Sequence, residues 1–455
     1  MFSMIRRLFA LVVTIAVVTA AGGCAESARE EATGKGNIRG INSILTSPDV
    51  SFLIEERSIG TVGFKQTTGF SQFDDLSYRF NFDIPLPGIV IPTRLTSDLI
   101  DVVADHEYTV VLTGTIANPS SLVWDDAVRE WEGTETVSEV FFAHLAPSLG
   151  EVDVYFALPG TVPTLGQAIG SLVNGERSPL LEFEGAQYEL TITAKDDPAT
   201  ILYQSVPINT GSQTRSTFAI FDIDLSLTGN IAVNFISQGG VSSVVGDVNF
   251  PPQIRTLHAA FGTENVDGYF DNDFSNLIYP DIGFGELSQY AEVATVTTHL
   301  TLTPVGNSGA VVHEGDVVTS AGSRRTIVLG GVPGALGFLA LLNDARPLET
   351  FPVMRVLNTS LSTEFLDVYS LTPGTPIDDT TIAQIRGLPS LQNSGFAAVP
   401  EGMRELTVTL AGEKTPISTP VTIDLSAGDI YDIAIFDTVD PGLVDLVVID
   451  AQLAP

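Results

Sequence analysis

The chain has 455 residues, 44% apolar and 17% charged, with a formal net charge of −34 and one cysteine. That is too long for a single core and too apolar for a disordered chain, so several folded domains are expected. The charge excludes nucleic acid, whose binding rests on Lys and Arg contacts to phosphate. The lone cysteine excludes an intrachain disulfide and CxxC metal sites.

The chain begins with Arg6 and Arg7 ahead of the apolar run LFALVVTIAVVTA at 8–20. The run is short for a bilayer span and reads as the core of a signal peptide covering 1–23. It ends in Ala21-Gly22-Gly23-Cys24, which resembles the bacterial lipobox, with Ala21 where Leu is usual. The resemblance implies lipidation of Cys24 and attachment to a membrane through that lipid, since several acyl chains anchor far better than one. Ala25 in place of Asp implies sorting to the outer membrane of the cell envelope, with the face left open. Loss of both arginines leaves a charge of −36. Residues 24–36 are polar and Gly-punctuated, a tether of about 20 Å reach.

From there one stretch comes back four times. It reads IRGINSILTSPDVSFL at 38–53, FFAHLAPSLGEVDVYF at 141–156, IRTLHAAFGTENVDGYF at 254–270 and MRVLNTSLSTEFLDVY at 354–369. Each copy is an apolar run, a His or Asn, a small polar turn, then, except in the first, an Asp before an aromatic. Asn42, His144, His258 and Asn358 align at spacings of 102, 114 and 100 residues. A period near 100 is a domain, not a solenoid repeat.

Within each unit further strands are expected. Alternating runs lie at 78–84, 188–193, 299–303 and 405–410. Polar-to-apolar strands follow at 101–114, 210–222, 319–331 and 424–437, and closing strands at 121–124, 230–236, 335–342 and 443–449. Period-two alternation with β-branched and aromatic residues indicates half-buried strands. Six or seven per unit indicate an all-β chain of four tandem β-sandwiches at 37–133, 134–249, 250–350 and 351–455. Short helices are expected at 165–173 and 379–386. Pro251, Pro252 and Pro352 at short joints suggest a semi-rigid rod.

The opening pattern is similar to the bacterial family called domain of unknown function 4397. The carriers are His144-Leu145-Ala146-Pro147 with Val152-Asp153-Val154-Tyr155, then His258 with Asp267-Gly268-Tyr269, Asn358 with Asp367-Val368-Tyr369, and Asn42 with Ser47-Pro48-Asp49. The resemblance runs over nearly all of the chain beyond the signal peptide. It implies immunoglobulin-like sandwiches on an exported protein, and no established activity.

Catalytic signatures are absent: no GxSxG, P-loop or HExxH. His144 and His258 are candidates for metal ligation or proton switching, but Asn occupies the same place in two units. A strand-end residue bonding the next turn explains both residue types. Asp267, Asp271 and Asp273 are candidate calcium oxygens, in a spacing unlike the EF-hand loop. Trp124 and Trp131 are candidates for stacking on a sugar or for packing at the first joint. The expected function is a non-enzymatic envelope lipoprotein that displays or spaces sandwich modules, with no cofactor beyond candidate calcium. Envelope proteins and glycans are the candidate partners. The alternatives are a carbohydrate-binding or calcium-dependent adhesive protein, and an envelope hydrolase with a dispersed site.

Overall fold

The computed structural model describes residues 31–223, 231–293, 297–343 and 345–450. Cys24 and the expected signal peptide lie outside them. Every element among the described residues is a β-strand. The two expected helices are therefore corrected. At 165–173, Gly166 takes a left-handed φ of 81° and the strand Gly170–Leu172 pairs with the Asp153 strand. At 379–386, the Asp378 carboxylate accepts the N–H groups of Thr380 and Thr381 and closes a local turn. The strand Ile385–Pro389 then begins. Asp and Thr that bond their own backbone favour such turns over helix.

The strands form sheets of four or five that go together in twos. In the first unit the opening strand Lys35–Asn42 lies between Ser71–Asp74 and His106–Gly114, with Pro119–Ala127 beyond. The second sheet runs Arg57–Val62, Val50–Ile54, Ser77–Ile84, Thr93–Asp101. The same order returns from Val137, Gln253 and Val353, with 8, 10, 8 and 9 strands among the described residues of the four stretches, where six or seven were expected. The opening strand always runs parallel to the late one: Asn42 opposes Leu112, His144 opposes Ile220, His258 opposes Leu329 and Asn358 opposes Ile435.

Alternation decides what meets what. In the first unit Ile38, Val110 and Leu112 point from one sheet to Phe52, Phe80 and Phe82 of the other. Gly40 between them gives Phe52 its place, since a Cβ there would lie 2.1 Å from the ring. Val140, Phe142, Val154, Phe156 and Leu190 fill the second core. Ile254, Val266, Leu300 and Leu329 sit in the third, and Met354, Val368, Val408 and Ile435 in the fourth. Each such side chain contributes about 2 kcal/mol by leaving water.

The opening and late strands are buried on their other face as well. Ile41, Val111 and Trp124 of the first unit pack on Ala143, Leu145, Ala219 and Phe221 of the second. Leu257, Val328 and Leu339 of the third pack on Leu357, Ala434 and Phe436 of the fourth. Near-continuous apolar runs such as FAIFD at 218–222 are the sequence of a strand buried on both faces. The units thus sit face to face in two pairs, and the expectation of a rod is corrected. The first unit also touches the joint between the third and fourth. Arg346 donates to the carbonyls of Leu45 and Ser47 at 2.6 and 2.7 Å, and Leu86 packs with Leu348 and Phe351.

Candidate functional site

The recurring polar residues were the candidates for chemistry, and each has a defined partner set. His144 is fully buried at the end of its strand. Its Nδ1 accepts the N–H of Ala146 at 3.2 Å, which leaves Nε2 to donate to the Gly150 carbonyl at 3.0 Å. His258 does the same with the N–H of Ala260, at 3.3 Å, and the Glu264 carbonyl, at 3.1 Å. Asn42 Oδ1 accepts the N–H of Ile44, and Asn358 Oδ1 that of Ser360, at 3.1 and 3.2 Å. Their Nδ2 groups donate to Ser47 Oγ and the Leu388 carbonyl. In all four the side chain takes the N–H two residues on and gives a hydrogen bond back to the fold. Asn and neutral His both offer one acceptor and one donor for this, which explains their exchange. Burial pushes both imidazoles below their ordinary pKa, against the pull of the carbonyls they face.

The Asp of the second strand is a staple. Asp267 Oδ1 accepts the N–H of Asp281 and Oδ2 that of Gly306, at 2.9 and 2.8 Å. Asp367 takes the N–H groups of Gly387 and Gly412, at 2.7 and 2.9 Å. Asp281 and Gly387 have left-handed φ values of 50° and 59°, beside a register shift in their strands. One carboxylate therefore fixes a bulge on one side and a turn on the other. Asp153 makes the equivalent bonds to Ser171 Oγ and the Asp196 N–H, and Lys195 lies 3.3 Å away. Burial alone would raise the Asp153 pKa, but these donors together hold it low. The first unit has Ser51 here, bonded to Thr61 Oγ1 at 2.7 Å. The Asp267-Gly268-Tyr269 variant follows from packing, since a Cβ on Gly268 would meet the Tyr279 ring at 2.7 Å.

A third recurrence went unread in the sequence. Arg39, Arg255 and Arg355 each stand three residues before the His or Asn, and all are buried. The Nε of each reaches the opposed residue of the late strand: Thr109 at 2.9 Å, Thr326 at 2.9 Å and Asp432 at 2.7 Å. The guanidinium planes lie over Phe70, Tyr290 and Phe396, 4.4–4.6 Å from the ring centres. Arg39 then donates to the Ser237 carbonyl of the second unit, and Arg355 to the Leu342 carbonyl of the third. Burial draws Arg39 down to about 10, with Glu107 and Asp126 opposing. The signal was in the three aligned copies, as a charge inside an apolar run.

The other candidates are not drawn together. Asp271 Oδ1 accepts the His299 N–H, and Asp273 Oδ1 the Ser275 N–H, while Asp267 is the staple above. Among the described residues no group of three or more His, Cys, Asp or Glu is placed to hold a metal ion. Trp124 is buried in the contact between the first two units, with Arg177 5.1 Å above its ring, while Trp131 lies half-buried under Arg129. They do not form an exposed stacking pair.

Comparison with known proteins gives a family. Its description is Domain of unknown function (DUF4397), and it matches residues 36–155 and 252–369, more than half of the chain. The chain belongs to this family. Both matches begin at or beside the opening strand of a pair and end at the Tyr of the Asp-x-Tyr strand of that pair's second unit, so they span essentially all four opening stretches. No curated protein matches. Among solved structures, the Bacillus anthracis TIE protein aligns over 90% of this chain and 69% of its own, at 9% identity and a TM-score of 0.16.

Proposed function

We propose that this is a non-enzymatic cell-envelope lipoprotein, anchored through Cys24, that displays four immunoglobulin-like sandwiches at 37–133, 134–249, 250–350 and 351–455. The observation that carries the reading is the use of the repeated polar residues. His144, His258, Asp153, Asp267 and Asp367 spend their hydrogen bonds on their own turns and bulges, which leaves no shared catalytic geometry among them. The parallel opening and late strands, with a second sheet across the core, support the immunoglobulin-like assignment. Face-to-face pairs are a short, broad arrangement, which favours display over spacing. The lipobox and Ala25 support the outer membrane.

Fractionation of cells carrying Cys24→Ser tests the anchor. Loss of acylation and release from the membrane fraction are expected, and retention by the same attachment would contradict the reading. An envelope hydrolase screen of the purified chain tests the rest. An activity abolished by His144→Asn or His258→Asn would contradict a structural role for those residues.

A further inference from the structure

We propose that the cleft where the first three units meet binds a small hydroxyl-bearing carboxylate of the uronic acid class. The proposal rests on reading the chain as a binding protein, and it is independent of Cys24. The cleft has a volume of about 620 Å³. Leu45 and Phe64 line it from the first unit, Leu202 and Asn234 from the second, and Arg324 and Leu342 from the third. Its walls mix apolar side chains with many polar and charged ones, Asp49, Lys65, Asp247, Arg324 and Arg346 among them, which suits a polar, hydrogen-bonding ligand.

Two of those polar groups are incomplete. Asn234 is only 4% exposed. Its Nδ2 donates to the Lys65 carbonyl and to Ser242 Oγ, both at 2.9 Å, yet its Oδ1 has no partner among the described residues. This amide oxygen is closed to solvent and costly without a donor, so a ligand hydroxyl that reaches it through a local shift of the wall would relieve that cost. Arg324 gives its Nε to Gln253 Oε1 at 3.0 Å and lies 5.7 Å from the ring centres of Phe250 and Tyr290. No hydrogen bond or ion pair among the described residues uses its two terminal nitrogens. That planar pair of donors matches one carboxylate. Asp247, also in the wall, accepts the N–H groups of Asn249 and Gln204 and presents a carboxylate to further hydroxyls. The overall charge of −34 disfavours polyanions, so a single carboxylate on a hydroxylated ring fits better than a phosphate or a nucleotide.

The test is calorimetric titration of the full chain in detergent with glucuronate, glucose and acetate. Glucuronate is expected to bind roughly tenfold more tightly than glucose or acetate, as a charged hydrogen bond requires. Arg324→Gln should reduce glucuronate to the level of glucose, and Arg324→Lys should recover part of the difference. Asn234→Leu should weaken glucose and glucuronate alike. If that variant proves unfolded by its thermal transition, the arginine series decides alone. Equal binding of glucuronate and glucose, or undiminished binding to Arg324→Gln, would overturn the site. Turnover of a glucuronide with binding intact would leave the site standing and overturn the non-enzymatic reading instead.

Discussion

Where the first and second units meet, aromatic rings are framed by charge. Phe64 and Phe221 meet edge to face at 5.7 Å, Arg177 grips Asp126 at 2.6 and 2.8 Å, and Arg215 lies 3.7 Å from Glu107. Where the third and fourth meet, Leu257, Val328, Leu339 and Leu357 surround Phe436, and the polar bonds across the contact include those of Arg355 to Leu342 and Asn343. The same strand order, with the same faces turned inward, is thus closed by two chemistries. What the pairs share is an apolar centre on the outward positions of the opening and late strands. The polar frame is free to vary, because apolar burial is non-directional and charge pairing is not.

Substitutions sharpen the contrast. The largest effect is expected from Phe436→Ala, which empties the middle of the second contact and should lower stability by about 3–5 kcal/mol. Chemical denaturation of the full chain would show it as an early transition of the second pair, with the first pair unmoved. Asp432→Ala leaves the Arg355 guanidinium buried without its partner and should cost about 3 kcal/mol. Replacing Arg355 and Asp432 together with apolar residues should restore most of that loss in the same assay.

Arg177→Gln in the first contact removes a two-pronged bond to Asp126 from a partly exposed site. About 1–2 kcal/mol is expected, and the loss should shrink in high salt because partly exposed charges are screened. Phe436→Ala should show no such salt dependence. A uniform response of both variants to salt would erase the distinction between the contacts.

The smallest effect is in pH dependence. His144 and His258 are held neutral, with pKa values below that of the unfolded chain. Their stability is complete above about pH 6.5, the unfolded value, and falls as the pH drops below it, because the unfolded state then binds the proton first. His258→Asn should flatten that part of the stability–pH curve of the third unit. An unchanged slope would mean that the imidazole is not locked by Ala260 and Glu264.

Much of this architecture is legible in the sequence. The strand expected at 335–342 is Ala335–Leu342, and that at 188–193 is Gln187–Ala194, because period-two alternation is a direct image of the pleat. The bulges were not legible. Asp267 reads as an outward residue of an alternating strand, and only the register shift opposite it turns its carboxylate toward the N–H groups of Asp281 and Gly306. Nor was the pairing. Ile41 and Val111 look like ordinary exposed-face residues of a half-buried sheet until Leu145 and Phe221 are seen against them. A sequence repeats its own core positions in every unit, but the partner of an outer face lies about 100 residues away and leaves no local period. The unpartnered Oδ1 of Asn234 was likewise invisible, since hydrogen bonding depends on what the fold brings near.

The units close on one another in face-to-face pairs. Trp124 reports on it directly, because it lies on the outer face of the first unit and is 8% exposed only through contact with the second. Fluorescence of the full chain carrying Trp131→Phe isolates that one indole. Blue-shifted emission and little quenching by acrylamide are expected, with a red shift when Phe221→Asp opens the contact. Red-shifted, freely quenched emission from the chain with the contact intact would contradict it and return the four units to a rod.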